Sequence, residues 1–182
     1  VKNSGKVWND GVCVYFNAQI QLDLKQKIVL ALLNLFVTGL FSAIAIAILA
    51  EGVSKGGIAA LIFAVSVIVF MGRYTLWNTY GTEEFIINTK TIAVRQGYGW
   101  FVTGWKLHPF RRLYCIIEPD DAGSNIGTVY FQDHNKMDIP VTVVASSIKV
   151  PIKVLNEMNS QLDFIFSIER LTASVGFSLN LN

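Results

Sequence analysis

The spacing of hydrophobic and polar residues changes character twice along this chain. Residues 1–27 are mixed, with short strand-like runs at Lys6-Val7-Trp8 and Val12-Cys13-Val14-Tyr15-Phe16. Ile28 to Ala50, IVLALLNLFVTGLFSAIAIAILA, then runs unbroken without a charge. A helix rising 1.5 Å per residue needs about 20 such residues to cross a hydrocarbon core of about 30 Å. A polar, Gly-rich turn follows from Glu51 to Gly57. A second run, Ile58 to Gly72, reaches spanning length by continuing through Arg73-Tyr74-Thr75-Leu76-Trp77. Apolar residues lie all round both runs, unlike a core helix with one apolar face. The first run is too long for a signal-peptide core, and mixed residues that include Asp10 and Asp23 precede it. The pattern predicts a transmembrane helical hairpin over residues 28–80, with spans at 28–50 and 57–80.

Several residues fit that hairpin. Arg73 can snorkel at the end of the second span, and Tyr74, Trp77 and Tyr80 suit the interfacial belt. Asn34 is the one strongly polar side chain inside the spans, and it is expected to bond across to the other helix. Ala43, Ala45, Ala47, Ala59, Ala60 and Ala64 would let the helices approach closely. Lys25 and Lys27 precede the first span and Arg73 ends the second, whereas the connecting turn sets Lys55 against Glu51. The positive-inside rule then puts both termini on the cytoplasmic side of the cell (inner) membrane.

After Gly81 the period becomes two. Phe85 and Ile87 share one face of a strand, and so do Ile92 and Val94, with a polar turn at Asn88-Thr89-Lys90 between them. This predicts a β-hairpin. Further strands are expected at Phe101–Leu107, Arg112–Glu118, Thr128–Gln132 and Met137–Val141. From Ala145 the period lengthens, with Ile148, Ile152, Leu155 and Met158 on one helical face and Pro151 in the first turns. A short sheet needs its apolar face covered and its edges managed. The predicted fold is therefore an α+β membrane protein: the helical hairpin plus a small antiparallel β sheet or barrel at 81–160, capped by a helix. Both flanks of the spans lie on one side, so the strands of residues 1–27 can join that sheet. Residues 161–182, with the stretches FIFSIE and VGFSLNL, read as a tail of strands or a docking segment.

Composition narrows the function. Charged residues make up 15% of the chain, against about 25% in an ordinary soluble domain. The mean hydropathy is +0.45. The net charge is +2, and basic and acidic residues are evenly mixed between Gly81 and Ser160, eight of each. That gives no stripe suited to nucleic acid. Cys13 and Cys115 are far apart and form no ligand cluster, nor do His108 and His134, so neither a metal nor a disulfide is expected. No nucleophile motif of the Gly-Xaa-Ser-Xaa-Gly kind occurs. Gly97-Tyr-Gly99 lacks the helix and the Lys-Ser/Thr that a phosphate cradle needs. Glu83 and Glu84 are adjacent in a strand and must point to opposite faces, a poor acid–base pair. Asp120-Asp121 offers too few donors for Ca²⁺. No catalytic residue and no cofactor is expected.

The two-span hairpin, the stretch LWNTYGTEEFIINTKTIAVRQGYGWFVTGWKL, then RRLYCIIEP, GTVYFQDHNKMDIP and a closing helix together resemble the membrane-anchored PH-like proteins of bacteria. Trp77, Gly81, Glu83, Ile87, Ile92 and Arg95 match that family's aromatic span end, Gly-Xaa-Glu and paired-strand positions. The plan is also similar to the photosystem I assembly factor family of chloroplasts and cyanobacteria, although Gly97-Tyr-Gly-Trp-Phe101 stands where that family has a charged strand and loop. The resemblance implies a PH-like domain held at the cytoplasmic membrane face, without enzymatic activity. Such a module would bind a partner protein or lipid headgroups, with Arg95, Lys106, Arg111 and Arg112 as the cationic candidates. The alternative is an accessory subunit or assembly factor of a larger membrane complex, whose apolar hairpin, with Asn34 and its small residues, would pack against other spans.

Overall fold

The computed structural model describes residues 3–52, 54–135 and 137–179, with side chains through residue 168. Two strands open the chain, β1 (Ser4–Asn9) and β2 (Val14–Gln19). Two long helices follow, α1 (Leu24–Glu51) and α2 (Lys55–Tyr80). Then come β3 (Gly81–Ile87), β4 (Thr91–Tyr98), β5 (Phe101–Val102), β6 (Lys106–Pro109), β7 (Tyr114–Pro119), β8 (Ile126–His134), β9 (Pro140–Ala145) and β10 (Val150–Pro151), and finally the helix α3 (Ile152–Leu179). The architecture is α+β, with antiparallel sheets.

Both long helices are long and apolar enough to cross a membrane. Neither belongs to the core of the β domain: α1 has no buried residue, and α2 has only Ala64. They are longer than predicted at their starts. Asp23 accepts from the N3 backbone while Gln26 reaches back to the N-cap, a capping box that starts α1 at Leu24. Ser54 caps α2 by accepting from the Gly57 N–H, the usual service of a serine at this position.

The helix pair is an insertion between two neighbouring strands. β2 pairs with β3 from Val14↔Ile87 to Gln19↔Thr82, and the Ile20 N–H donates to the Gly81 carbonyl at 2.9 Å. The sheet therefore closes directly at the helix ends. One sheet runs β1-β2-β3-β4, with β5 and β6 both pairing β4; the second groups β7, β9 and β10 around β8. Inward residues alternate as a half-buried sheet requires. Phe16, Phe85 and Phe131 pack through the centre, with ring centroids 5.4 and 5.7 Å apart. Leu155, Met158, Leu162 and Ile165 of α3 close this core.

Several expectations need correction. The strand predicted at Phe101–Leu107 is two strands, because Thr103, Gly104 and Trp105 break it and β6 takes over the pairing with β4. The strand expected at Met137–Val141 begins at Pro140, since Asn135 Oδ1 accepts from the Met137 and Ile139 N–H groups and holds a turn there. The closing helix starts at Ile152, not Ala145. The intervening residues form a turn and then β10, so Pro151 lies in a strand. Residues 161–179 are no separate tail of strands but continue α3. Met158, Leu162 and Ile165 are all buried against the sheets. Their spacing keeps the helical period, and that burial outweighs the strand propensity of FIFSI. Residues 180–182, which include the last two residues of the VGFSLNL stretch, lie outside the described residues.

Candidate functional site

The junction between helices and sheet holds the residues predicted as interface anchors. The α2 helix runs into β3 without a linker, and the Gly81 N–H still bonds back to the Trp77 carbonyl. A Cβ at Gly81 would overlap that carbonyl oxygen and stand 2.9 Å from Ile20 Cδ1, so only glycine allows so tight a passage from helix to sheet. Beside the junction, β4 and β5 form a hairpin that turns at Gly99, where φ is +77°, a value that favours glycine. Tyr98 packs its ring on Trp77 at 5.1 Å and accepts a hydrogen bond from Arg73 Nη2 at 3.1 Å. Arg73 and Trp77 thus fasten the hairpin to α2. Tyr80 is half exposed with Lys27 Nζ 5.9 Å from its ring centre, and Tyr74 is exposed beside Phe70.

Asn34 bonds across the helix pair, donating to Thr75 Oγ1 at 2.7 Å and to the Met71 carbonyl at 3.3 Å. Its oxygen accepts from Thr38 Oγ1 at 2.9 Å, so this polar group is satisfied within the hairpin. Of the six alanines expected between the helices, Ala64 is buried there, whereas Ala43, Ala47, Ala59 and Ala60 are exposed.

Glu83 and Glu84 do face opposite ways, with different consequences. Glu83 is 1% exposed. Its Oε2 accepts from Ser146 Oγ and the Ser147 N–H, both at 2.9 Å, and from the Ile148 N–H at 3.3 Å. Its Oε1 accepts from Gln96 Nε2 at 3.1 Å. A carboxylate with both oxygens engaged in this way ties the first sheet to the turn between β9 and β10. Glu84 pairs with Arg95 at 2.6 Å on the outer face, and Arg95 lies 4.5 Å over the Trp105 ring.

The four candidate cations do not form one site. Arg95 and Lys106 line the same shallow cleft beside Glu83 and Val144. Arg111 and Arg112 occupy the turn after β6, where their N–H groups both donate to Asp133 at 2.9 Å. Because Thr91 pairs with Pro109, that turn lies at the end of the sheet remote from Gly81. Burial opposes ionisation of Asp133, but the N–H donors of Arg112, Arg111 and His134 outweigh it and hold its carboxyl below the ordinary range, as hydrogen bonds to a charged form do.

Sequence reasoning missed a row of residues on the outer face of the larger sheet. Trp8↔Tyr15, Tyr15↔Ile86, Ile86↔Ala93 and Ala93↔Leu107 are successive register partners across five strands. All five side chains are apolar or aromatic. Trp8 is 49% exposed and Leu107 68%. Trp8 and Tyr15 stack at 5.2 Å with their planes 4° apart, and the Tyr15 hydroxyl donates to Asp10. Alternation alone puts each of these residues opposite an inward neighbour, but their alignment needs the register of strands separated by the whole helix pair.

Both cysteines are free. Burial, with a smaller contribution from Asp163, pushes the Cys115 thiol up to about 12. Among the described residues no three His, Cys, Asp or Glu side chains gather as a metal site. No family model, curated protein or solved structure matches the chain.

Proposed function

We propose that this chain is a non-enzymatic, membrane-anchored module of PH-like architecture. In this reading α1 and α2 cross the cell (inner) membrane, both termini lie in the cytoplasm, and the outer face of the larger sheet binds a partner protein there. The observation that carries the proposal is the row Trp8–Tyr15–Ile86–Ala93–Leu107 on a sheet fixed to two exposed apolar helices. Aromatic and aliphatic side chains aligned on one face suit a protein interface. Lipid headgroups would call for clustered cations, and Arg95 is already engaged by Glu84 while Arg111 and Arg112 lie far from the helix ends. Lys25, Lys27 and Arg73 stand at the sheet end of the helices, which supports the cytoplasmic orientation.

Height supports the related reading of an accessory subunit or assembly factor. Ile86 lies near the far end of β3, which starts at Gly81. At roughly 3.3 Å per residue, that is about 17 Å along the strand. A partner reaching this row must itself lie close to the membrane. Photo-crosslinking in native membranes tests the proposal, with the crosslinking residue placed at 8, 86 or 107 and, as a control, at Glu118 on β7. Discrete adducts are expected from the first three positions, and Leu107→Asp should abolish those from 8 and 86. Equal adducts from position 118, or none from the row, would refute it.

A further inference from the structure

The β4–β5 hairpin does more than pair. Its tip carries three consecutive exposed apolar residues, Trp100 at 84%, Phe101 at 65% and Val102 at 57% exposure. Tip residues usually favour polar chemistry, since loops run through water. Here the neighbours explain the choice. Phe101 and Val102, with Tyr98, face Val69, Gly72, Arg73 and Leu76 of α2 across an apolar cleft of about 460 Å³. Val69 belongs to the uncharged stretch of α2, and Arg73 is the first charged residue after it. The two are about 6 Å apart along the helix axis at 1.5 Å per residue. The tip therefore flanks a part of α2 deeper than the residue that marks its exit from the apolar stretch. The bond from Arg73 to Tyr98 holds it there.

We propose that this hairpin is a third membrane attachment, dipping Trp100, Phe101 and Val102 into the boundary between lipid headgroups and acyl chains beside α2. The inference rests on the membrane-anchored reading. A bilayer suits the site because the tip continues the lipid-facing surface of α2. From Gln96 to Lys106 the only charge is the lysine, which an anionic surface tolerates. Aromatic side chains with a polar edge settle at this depth, and interfacial elements bury their apolar face by about 5–10 Å. With two helices and a hairpin tip attached, the β domain has three points of support and cannot roll about the helix axis.

The test uses the full chain with Cys13→Ser and Cys115→Ala, reconstituted into vesicles of phosphatidylcholine and phosphatidylglycerol. A single cysteine carrying an environment-sensitive fluorophore is placed at the tip (Phe101→Cys or Val102→Cys), mid-span (Ile46→Cys) or in the remote loop (Asp121→Cys). Nitroxides on shallow acyl carbons should quench both tip labels, and aqueous iodide should not. The label at 46 should respond to deep nitroxides, and the label at 121 to iodide alone. Two tip positions guard against one label distorting the turn. Iodide quenching of both tip labels with position 46 protected would overturn the hairpin attachment and leave the spans intact. Tip labels shielded from both quenchers would also overturn it, since protein and not lipid would then cover them. Iodide quenching at 46 would overturn the membrane-anchored reading itself.

Discussion

Replacing Glu83 should separate its role as a structural tie from that of an ordinary buried charge. Glu83→Ala leaves the Ser147 N–H without its acceptor, while the Ser146 hydroxyl keeps the Ile148 carbonyl and the Ile148 N–H keeps Ser146 Oγ. The Ser147 N–H is only part-buried, so stranding it costs about 1 kcal/mol, the low end for an unmet donor, and the lost charge-assisted bonds are individually stronger than neutral ones. Together with the emptied side-chain volume the loss is about 3–5 kcal/mol. For a chain of this size about 2–4 °C accompany each kcal/mol, so the melting temperature should fall by about 6–20 °C. Glu83→Gln should be much milder. Its amide oxygen can face the turn at 146–148 while its NH₂ faces Gln96, whose own amide can turn to accept. That rearrangement gives up only the Tyr98–Gln96 bond, which is long at 3.3 Å. A cost of about 1–2 kcal/mol is therefore expected. The assay is thermal unfolding of the full chain in detergent, followed by near-ultraviolet circular dichroism of the aromatic core. An alanine variant within about 1 kcal/mol of the parent, or a glutamine variant as damaged as the alanine one, would refute the argument.

Three other outcomes follow from the geometry. Gly81→Ala should cost about 1–3 kcal/mol by overpacking, whereas Gly104→Ala, where a Cβ meets nothing within 4 Å, should be near neutral in the same melt. Cys115, with its thiol pushed up to about 12, should resist iodoacetamide at about pH 8 in the folded chain and react once denaturant is added, as peptide mass mapping would show. Asp133 has a lowered folded-state pKa, so its contribution is complete above the unfolded value of about 3.9 and is lost as pH falls below it through the folded value. The stability gap between the parent and Asp133→Asn, read from denaturant midpoints, should therefore shrink as pH drops below about 4.

The helices are legible in the sequence because their signal is local: an uncharged run of spanning length needs no partner to be recognised. The β3–β4 hairpin is equally plain, from the alternation of Phe85 and Ile87 with Ile92 and Val94 about a polar turn. Glu83 shows where local reading falls short. It has the same parity as Phe85 and Ile87, so alternation already places it on the inward face. Its partners, residues 146–148, are remote in the chain, and nothing local announces them. The end of the chain misleads for a different reason. Phe164 to Ile168 has strand-like composition, but the period set by Leu155, Met158 and Leu162 carries on through Ile165. The outer row is invisible to local reading because β1 and β2 meet β3 only after the helices have gone out and returned.

That return governs how the sheet can be used. The strands leaving and re-entering the helix pair are hydrogen-bonded neighbours, joined at Ile20 and Gly81. Arg73 and Trp77 tie the adjoining hairpin to α2, and Lys27 of α1 reaches Tyr80. A domain held this way does not swing on a tether, so the row from Trp8 to Leu107 keeps one height and one heading relative to the helices. If the row binds a partner as proposed, that binding loses less orientational freedom than binding to a tethered domain would, because the fixed junction has already removed it. The same connectivity says how the module must be cut. A fragment beginning at Gly81 would lack Val14, Phe16 and Ala18, which are fully or almost fully buried in the core. It would also leave β3 without its β2 neighbour, and a bare edge invites pairing with other chains. A version without the helices has to join Ile20 to Gly81 with a short turn in their place, so that the strands on either side of the insertion stay together and the outer row stays whole.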